Sequence, residues 1–219
     1  GIQLIARQTI ADTFDILDQP SDSILPHVRT DLIDYLQGAK GFSLVRLQGN
    51  IFHQPFPSIY TKLSAGVFEE MFGGFGGEVL YRDFSSNWAI GFEAYKVRQR
   101  SFRQLFNFKQ YEITTGHATF YYQEPATQVL FKLVGGRFLA GDSGVTIDLS
   151  RRFKSGLRLG AFFSLTDISK EEFGEGSFDK GFYMHFPIEA LFTNYSKKLS
   201  YFGLKPLTRD GAARLISGH

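Results

Sequence analysis

The stretch from 144 to 166, GVTIDLSRRFKSGLRLGAFFSLT, constrains the fold more than any other. Val145, Ile147 and Leu149 alternate with Thr146, Asp148 and Ser150. After Lys154-Ser155-Gly156 the alternation restarts, with Leu157, Leu159, Ala161, Phe163 and Leu165 against Arg158, Gly160, Ser164 and Thr166; only Phe162 breaks it. Side chains of a strand point to opposite faces with period two, so these residues form a hairpin with one apolar and one mostly polar face. Each arm is about nine or ten residues long, against about five or six for an ordinary globular strand. That length suits a strand that crosses a bilayer at a tilt.

The rest of the chain permits this reading. No run of about eighteen apolar residues occurs, which excludes a transmembrane helix but not a spanning barrel, half of whose strand residues face a polar interior. The 24 Phe, 10 Tyr and 23 Gly, with 2 Met and no Cys, suit an all-β protein with aromatic girdles and glycine turns. The lack of Cys rules out a disulfide scaffold and a thiolate metal site. A net charge of +2, with basic residues scattered along the chain, gives no argument for nucleic acid. The opening at Gly1, with a strand pattern at once, suggests a fragment of a longer exported protein.

Alternation predicts further strands at 1–10, 42–52, 59–71, 78–81, 88–97, 111–122, 128–139, 181–187 and 199–207, with Arg209-Asp210-Gly211-Ala212 as a turn into a last strand at 213–219. The total is about twelve, an even number as bacterial barrels require. The expectation is an all-β, antiparallel transmembrane β-barrel of about twelve strands, or the C-terminal part of a larger barrel. Residues 1–219 are then one barrel domain or barrel fragment, with 11–41 as a long loop excursion and a short helical turn at 31–37. Long connections (11–41, 72–77, 98–110, 140–143, 167–180) alternate with compact ones (53–58, 83–87, 123–127, 154–156), as in barrels with short periplasmic turns and long outer loops. Phe56, Tyr60, Tyr81, Phe84, Trp88, Tyr121, Tyr122 and Phe153 cluster near the compact turns, where an interfacial girdle belongs.

Catalytic and metal motifs are absent from the pattern. His27, His53, His117, His185 and His219 have no ligand spacing, and His117 and His185 fall on polar strand faces as wall-lining side chains. Glu171, Glu172, Glu175 and Asp179 lack the spacing of a calcium loop. Glu69 and Glu70 are adjacent, so on a strand they face opposite ways and make no glycosidase pair. The glycines at 73, 74, 76 and 77 precede a strand pattern rather than the helix that a phosphate cradle needs, so they make a turn or a sharply bent strand. Arg98, Arg100, Arg103 and Lys109 alternate with Phe102, Phe106 and Phe108 in a loop more suited to headgroups, sugar or its neighbours than to single-stranded nucleic acid. No enzyme activity, metal or cofactor is expected.

Several stretches resemble, in order, the C-terminal part of the YjbH/GfcD family: LPHVRTD at 25–31, VFEEMFGGFGGEVLY at 67–81, YKVRQRSF at 95–102, GRFLAGDSG at 136–144, FGEGSFDKG at 173–181 and KPLTRDG at 205–211. The resemblance implies an outer-membrane β-barrel lipoprotein of a Gram-negative bacterium, encoded with exopolysaccharide or group 4 capsule machinery. It also implies a role in polymer export beside a polysaccharide-export protein. It carries over no catalytic residue.

The expected function is therefore porin-like assistance of exopolysaccharide or capsule export, with a bacterial polysaccharide, outer-membrane lipid and a polysaccharide-export protein as partners. The candidate polysaccharide-contacting residues are Arg46, Gln48, Asn50, Lys62, Glu93, Tyr95, His117, Thr119, Tyr121, Lys132, Arg158 and Tyr183. A polar wall with a few aromatic faces offers weak repeated contacts that let a polymer pass. The alternatives are a structural barrel filled by its own side chains, with loops that recruit partners, an outer-membrane enzyme, and a soluble β-sandwich. Phe68 and Phe162 on the expected inner face favour the first of these.

Overall fold

The computed structural model of the chain describes residues 1–10, 25–39, 41–168, 179–187, 199–204 and 210–218. Its elements are β1 (Ile2–Gln8), α1 (Leu32–Gly38), β2 (Phe42–Phe56), β3 (Ile59–Val67), β4 (Phe72–Tyr81), β5 (Trp88–Arg100), β6 (Phe108–Gln123), β7 (Val129–Arg137), β8 (Ser143–Arg152), β9 (Arg158–Thr166), β10 (Asp179–Pro187) and β11 (Leu199–Leu204). The strands form one eleven-stranded sheet in sequence order, and every neighbouring pair is antiparallel. Period-two patterning joined by short turns specifies such a meander directly.

Register lines up the two faces. Tyr81, Ile90, Phe120, Leu133, Ile147 and Phe163 are opposite one another in turn from β4 to β9. This apolar face is the exposed one: Leu63 is 62% exposed, Phe75 60% and Phe92 55%. The polar face is the buried one, with Gln48 at 0%, Lys62 at 5% and His117 at 5%. A sheet in water has the reverse arrangement. Phe75, Phe92, Phe120, Phe163, Phe182 and Phe202 each leave about half of a side chain uncovered, together roughly 600 Å² at about 200 Å² per ring. That alone reaches the size of the largest apolar patch on a typical soluble monomer, about 300–600 Å².

At the end of the sheet opposite the compact turns, a small core closes over the polar face. Val28, Tyr35, Phe68, Met71, Phe72, Tyr95, Val97, Ile113, Leu139, Ala140 and Ala213 pack together. Tyr35 of α1 donates from its hydroxyl to the Arg100 carbonyl and stacks edge-on against Phe102 at 5.0 Å. The fully buried Arg100 guanidinium serves the carbonyls of Leu44 (2.8 Å), Glu69 (2.8 Å), Leu105 (2.9 Å) and Glu70 (3.2 Å). It is an internal strut rather than part of an anion-binding loop, and Lys109 likewise sits over the Phe102 ring at 3.4 Å.

Several expectations are corrected. Of the two readings of the glycines at 73, 74, 76 and 77, the strand holds and the connection at 72–77 does not: β4 runs through them, and the turn is at 68–71. Gly76 leaves room for the Tyr95 ring, which a Cβ there would strike. Glu69 and Glu70 thus lie in a turn, where Glu69 pairs with Arg29 at 3.0 Å and Glu70 with Arg7. The 98–110 loop shrinks to 101–107, because β5 and β6 continue into it. Tyr121 belongs to the polar face, not the girdle; its neighbour Tyr122 is outside, next to Trp88 in register. The acidic residues Glu171, Glu172 and Glu175 fall outside the described residues, as do 11–24 of the long excursion and His219.

The largest correction concerns closure. The described residues form eleven strands, β1 and β11 are not paired with each other, and the described sheet is not closed into a barrel. Residues 213–218 do not add a twelfth strand because their anchors lie on the polar face. Asp210 accepts from the backbone N–H groups of Val28 (2.8 Å), Arg29 (2.7 Å) and Thr30 (3.0 Å), and from there the chain runs along the polar face instead of its edge.

Candidate functional site

Two different environments share the polar face. Across β2 to β5 it is filled by the segment 210–218. Gln48 exchanges two hydrogen bonds with the Gly218 backbone (3.0 and 3.1 Å), and Arg46 donates to the carbonyls of Phe68 (2.7 Å) and Ile216 (3.1 Å). Arg214 pairs with Glu93 at 2.7 Å, and His117 Nδ1 lies 2.8 Å from the same carboxylate oxygen. Lys62 Nζ and the Tyr95 hydroxyl converge on Glu78 Oε1 at 2.8 and 2.5 Å. Asn50 Oδ1 accepts from Gln48 (2.6 Å) and Ser64 (2.7 Å). At the capped end, Asp142 in the β7–β8 turn accepts from the Ala212 N–H at 2.7 Å, and burial pushes its carboxyl up to about 6. Burial likewise raises Glu69 despite the neighbouring Arg29.

Across β6 to β11 the face opens into a groove of about 420 Å³, lined by Tyr121, Leu130, Lys132, Asp148, Arg158, Tyr183, His185 and Tyr201. Its side chains come from alternate residues of successive strands: Tyr121 opposes Lys132, Lys132 opposes Asp148, Arg158 opposes His185, and His185 opposes Tyr201. Gly160 opposes Tyr183, and a Cβ there would collide with the tyrosine ring, so the ring rests against backbone. The Tyr183 hydroxyl donates to Asp148 Oδ1 at 2.8 Å, and Arg158 donates to Ser150 Oγ from Nε (3.1 Å) and a terminal nitrogen (2.9 Å). The His185 ring stands edge-on to both Tyr183 and Tyr201, with centroids 5.6 and 4.9 Å away. Aromatic faces beside hydrogen-bonding groups in an open trough suit a ligand with alternating apolar ring faces and hydroxyl edges.

All twelve candidate residues lie on this one face, but the structure divides them. Tyr121, Lys132, Arg158 and Tyr183 line the groove. Arg46, Gln48 and Glu93 hold the C-terminal segment, while Asn50, Lys62, Tyr95 and His117 form the network beneath it. Thr119 is buried between the two regions. The candidate set lacked Leu130, Asp148, His185 and Tyr201. The alternation in the hairpin and in GFYMHFP already put Asp148 and His185 on the polar face, whereas Tyr201 stands in a strand too short to show a period. Among the described residues no group of three or more His, Cys, Asp or Glu side chains could hold a metal ion.

The fold and groove together define an all-β protein, a single antiparallel meander with its polar face inward and a tyrosine-lined trough on that face. Comparison with known proteins then places it: over residues 2–219 it matches, and belongs to, the YjbH family, described as exopolysaccharide biosynthesis protein YbjH. It is 40% identical over 208 residues to the Escherichia coli (strain K12) protein titled uncharacterized lipoprotein YjbH. The match covers 93% of the chain and 30% of that relative, so the chain spans about three tenths of its length. No solved structure matches.

Proposed function

We propose that the chain forms part of the wall of an outer-membrane β-barrel and that the groove on its inner face contacts a bacterial polysaccharide during export. The observation that carries this reading is the inversion of the sheet, apolar outside and polar inside, together with a groove on the inner side. A sheet that exposes Leu63, Phe75 and Phe92 needs a hydrocarbon partner, and lipid supplies one along the whole face. The family's link to exopolysaccharide biosynthesis and the relative's description as a lipoprotein agree with an envelope role. The role is non-catalytic, with a polysaccharide-export protein as partner.

Truncating Tyr121 and Tyr183 together to alanine tests it. Secreted polymer should fall while the amount of protein in the outer membrane stays constant; normal secretion from the double variant would sink the conduit reading. A second reading is favoured by the filled half of the face. There the segment 210–218 and the core around Tyr35 make the wall a scaffold, and the end bearing 101–107 recruits partners. Under that reading the tyrosine variant secretes normally and deletion of 101–107 abolishes secretion.

A further inference from the structure

We infer that the groove takes the carboxylate-bearing sugars of an acidic polysaccharide in preference to neutral sugars; this rests on the reading of the groove as a polysaccharide site. The polar face presents several cations, but most already have partners. Lys62 is paired with Glu78 at 2.8 Å, Arg214 with Glu93 at 2.7 Å, and Arg46 is bonded to two carbonyls. Lys132 and Arg158 are different. Lys132 opposes Asp148 in register yet makes no ion pair with it or with any other described carboxylate; its ammonium lies 5.7 Å from the centre of the Tyr121 ring. The hydrogen-bond acceptor that Arg158 reaches among the described residues is the neutral Ser150 hydroxyl.

The one carboxylate among the described residues that line the groove, Asp148, accepts from the Tyr183 hydroxyl. Two cations therefore face the trough against a single anion that is already hydrogen-bonded, and a bound carboxylate completes their coordination. The tyrosine rings meanwhile offer faces to the pyranose rings between the charges. An anionic lipid headgroup does not fit, because the groove is on the face opposite the exposed apolar side chains and lipid contacts that other face.

The test uses the full chain refolded in detergent, titrated calorimetrically with oligogalacturonate and with a malto-oligosaccharide of matched length. Oligogalacturonate should bind at least about ten-fold more tightly, the span of a charge-assisted hydrogen bond, and its affinity should fall as salt rises. In a Lys132→Gln, Arg158→Gln double variant that keeps native gel migration the two ligands should bind alike, and Lys132→Arg should keep the preference. Asp148→Asn, which removes the opposing anion, should tighten oligogalacturonate several-fold. Equal binding of both sugars by the unaltered chain, or no gain in Asp148→Asn, overturns the acidic preference and leaves the polysaccharide reading standing. Binding of neither sugar overturns both.

Discussion

Arginine in place of Ile147 should all but abolish insertion into lipid, while arginine in place of Leu159, on the same face of the neighbouring strand, should be nearly silent. Ile147 lies mid-row, between Leu133 and Phe163. It is five residues from Arg152, the end of β8 at the compact turn. At about 3.4 Å per residue and a tilt of about 40°, that places it about 13 Å deep, near the middle of a belt about 25 Å tall. Arginine at the midplane costs about 2–4 kcal/mol, a roughly thirty- to seven-hundred-fold loss in the folding equilibrium.

Leu159 is one residue into β9 and opposes Arg151, a native arginine on the same outer face whose guanidinium lies 5.0 Å from the centre of the Phe153 ring. At that level the chain already accepts an arginine, and the expected cost is about 0–1 kcal/mol. Thr146→Arg, adjacent to Ile147 but facing inward, loses the hydroxyl bond to Ser164 and should cost about 1 kcal/mol. The assay is urea titration of refolding into lipid vesicles, read by heat-modifiable gel migration. Equal losses at 147 and 146 would mean a sheet covered on both faces by protein, and equal losses at 147 and 159 would mean no bilayer gradient.

Two further outcomes are expected. Burial raises Asp142 from 3.8 to about 6, so its contribution to stability is fully present below about pH 3.8 and is lost as pH rises through about 6. Asp142→Asn should then remove most of the pH dependence in that window and gain at most about 3 kcal/mol at pH 8, at about 1.4 kcal/mol per pH unit; an unchanged pH slope in hydrogen exchange of the Ala212 and Ala213 amides would refute it. In this chain without native Cys, Asn107→Cys, at an exposed position of the 101–107 loop, should react with a membrane-impermeant label on intact cells and Ser155→Cys should not. Labelling of position 155 from outside would reverse the orientation.

Strand identity was legible because period two is local: each side chain's face is set by its immediate neighbours, as in the hairpin at 144–166. Legibility fails where residues have no face to show. Gly73, Gly74, Gly76 and Gly77 carry no pattern, so this part of β4 reads as a connection as readily as a strand although its backbone pairs on both sides, with β3 and with β5. It fails again at the C-terminus. The run of Ala213 to Ser217 reads as a possible strand, and what turns it inward is a set of partners far away in sequence: Glu93 for Arg214, Arg46 for the Ile216 carbonyl and Glu78 for Ser217. A pattern within one strand also cannot separate Lys62 from Lys132: both alternate correctly and both stand opposite a carboxylate, Glu78 and Asp148, yet only Lys62 is ion-paired with the one it faces.

That difference explains how one polar face serves two purposes. A charge shut away from water must be paired, or desolvation drives it neutral or unfolds its surroundings. Over β2 to β5, where the segment 210–218 excludes solvent, the buried charges meet this condition: Lys62 has Glu78, and Glu93 has both His117 and Arg214. Over β6 to β11 the condition is relaxed at Lys132 and Arg158, and these are the residues that border the open groove. Unpaired cations persist only where water or a ligand can solvate them, so the absence of a carboxylate partner and the presence of a groove are two aspects of one arrangement. In the filled half the charges are taken up by one another and by the segment 210–218, and in the open half Lys132 and Arg158 face the groove.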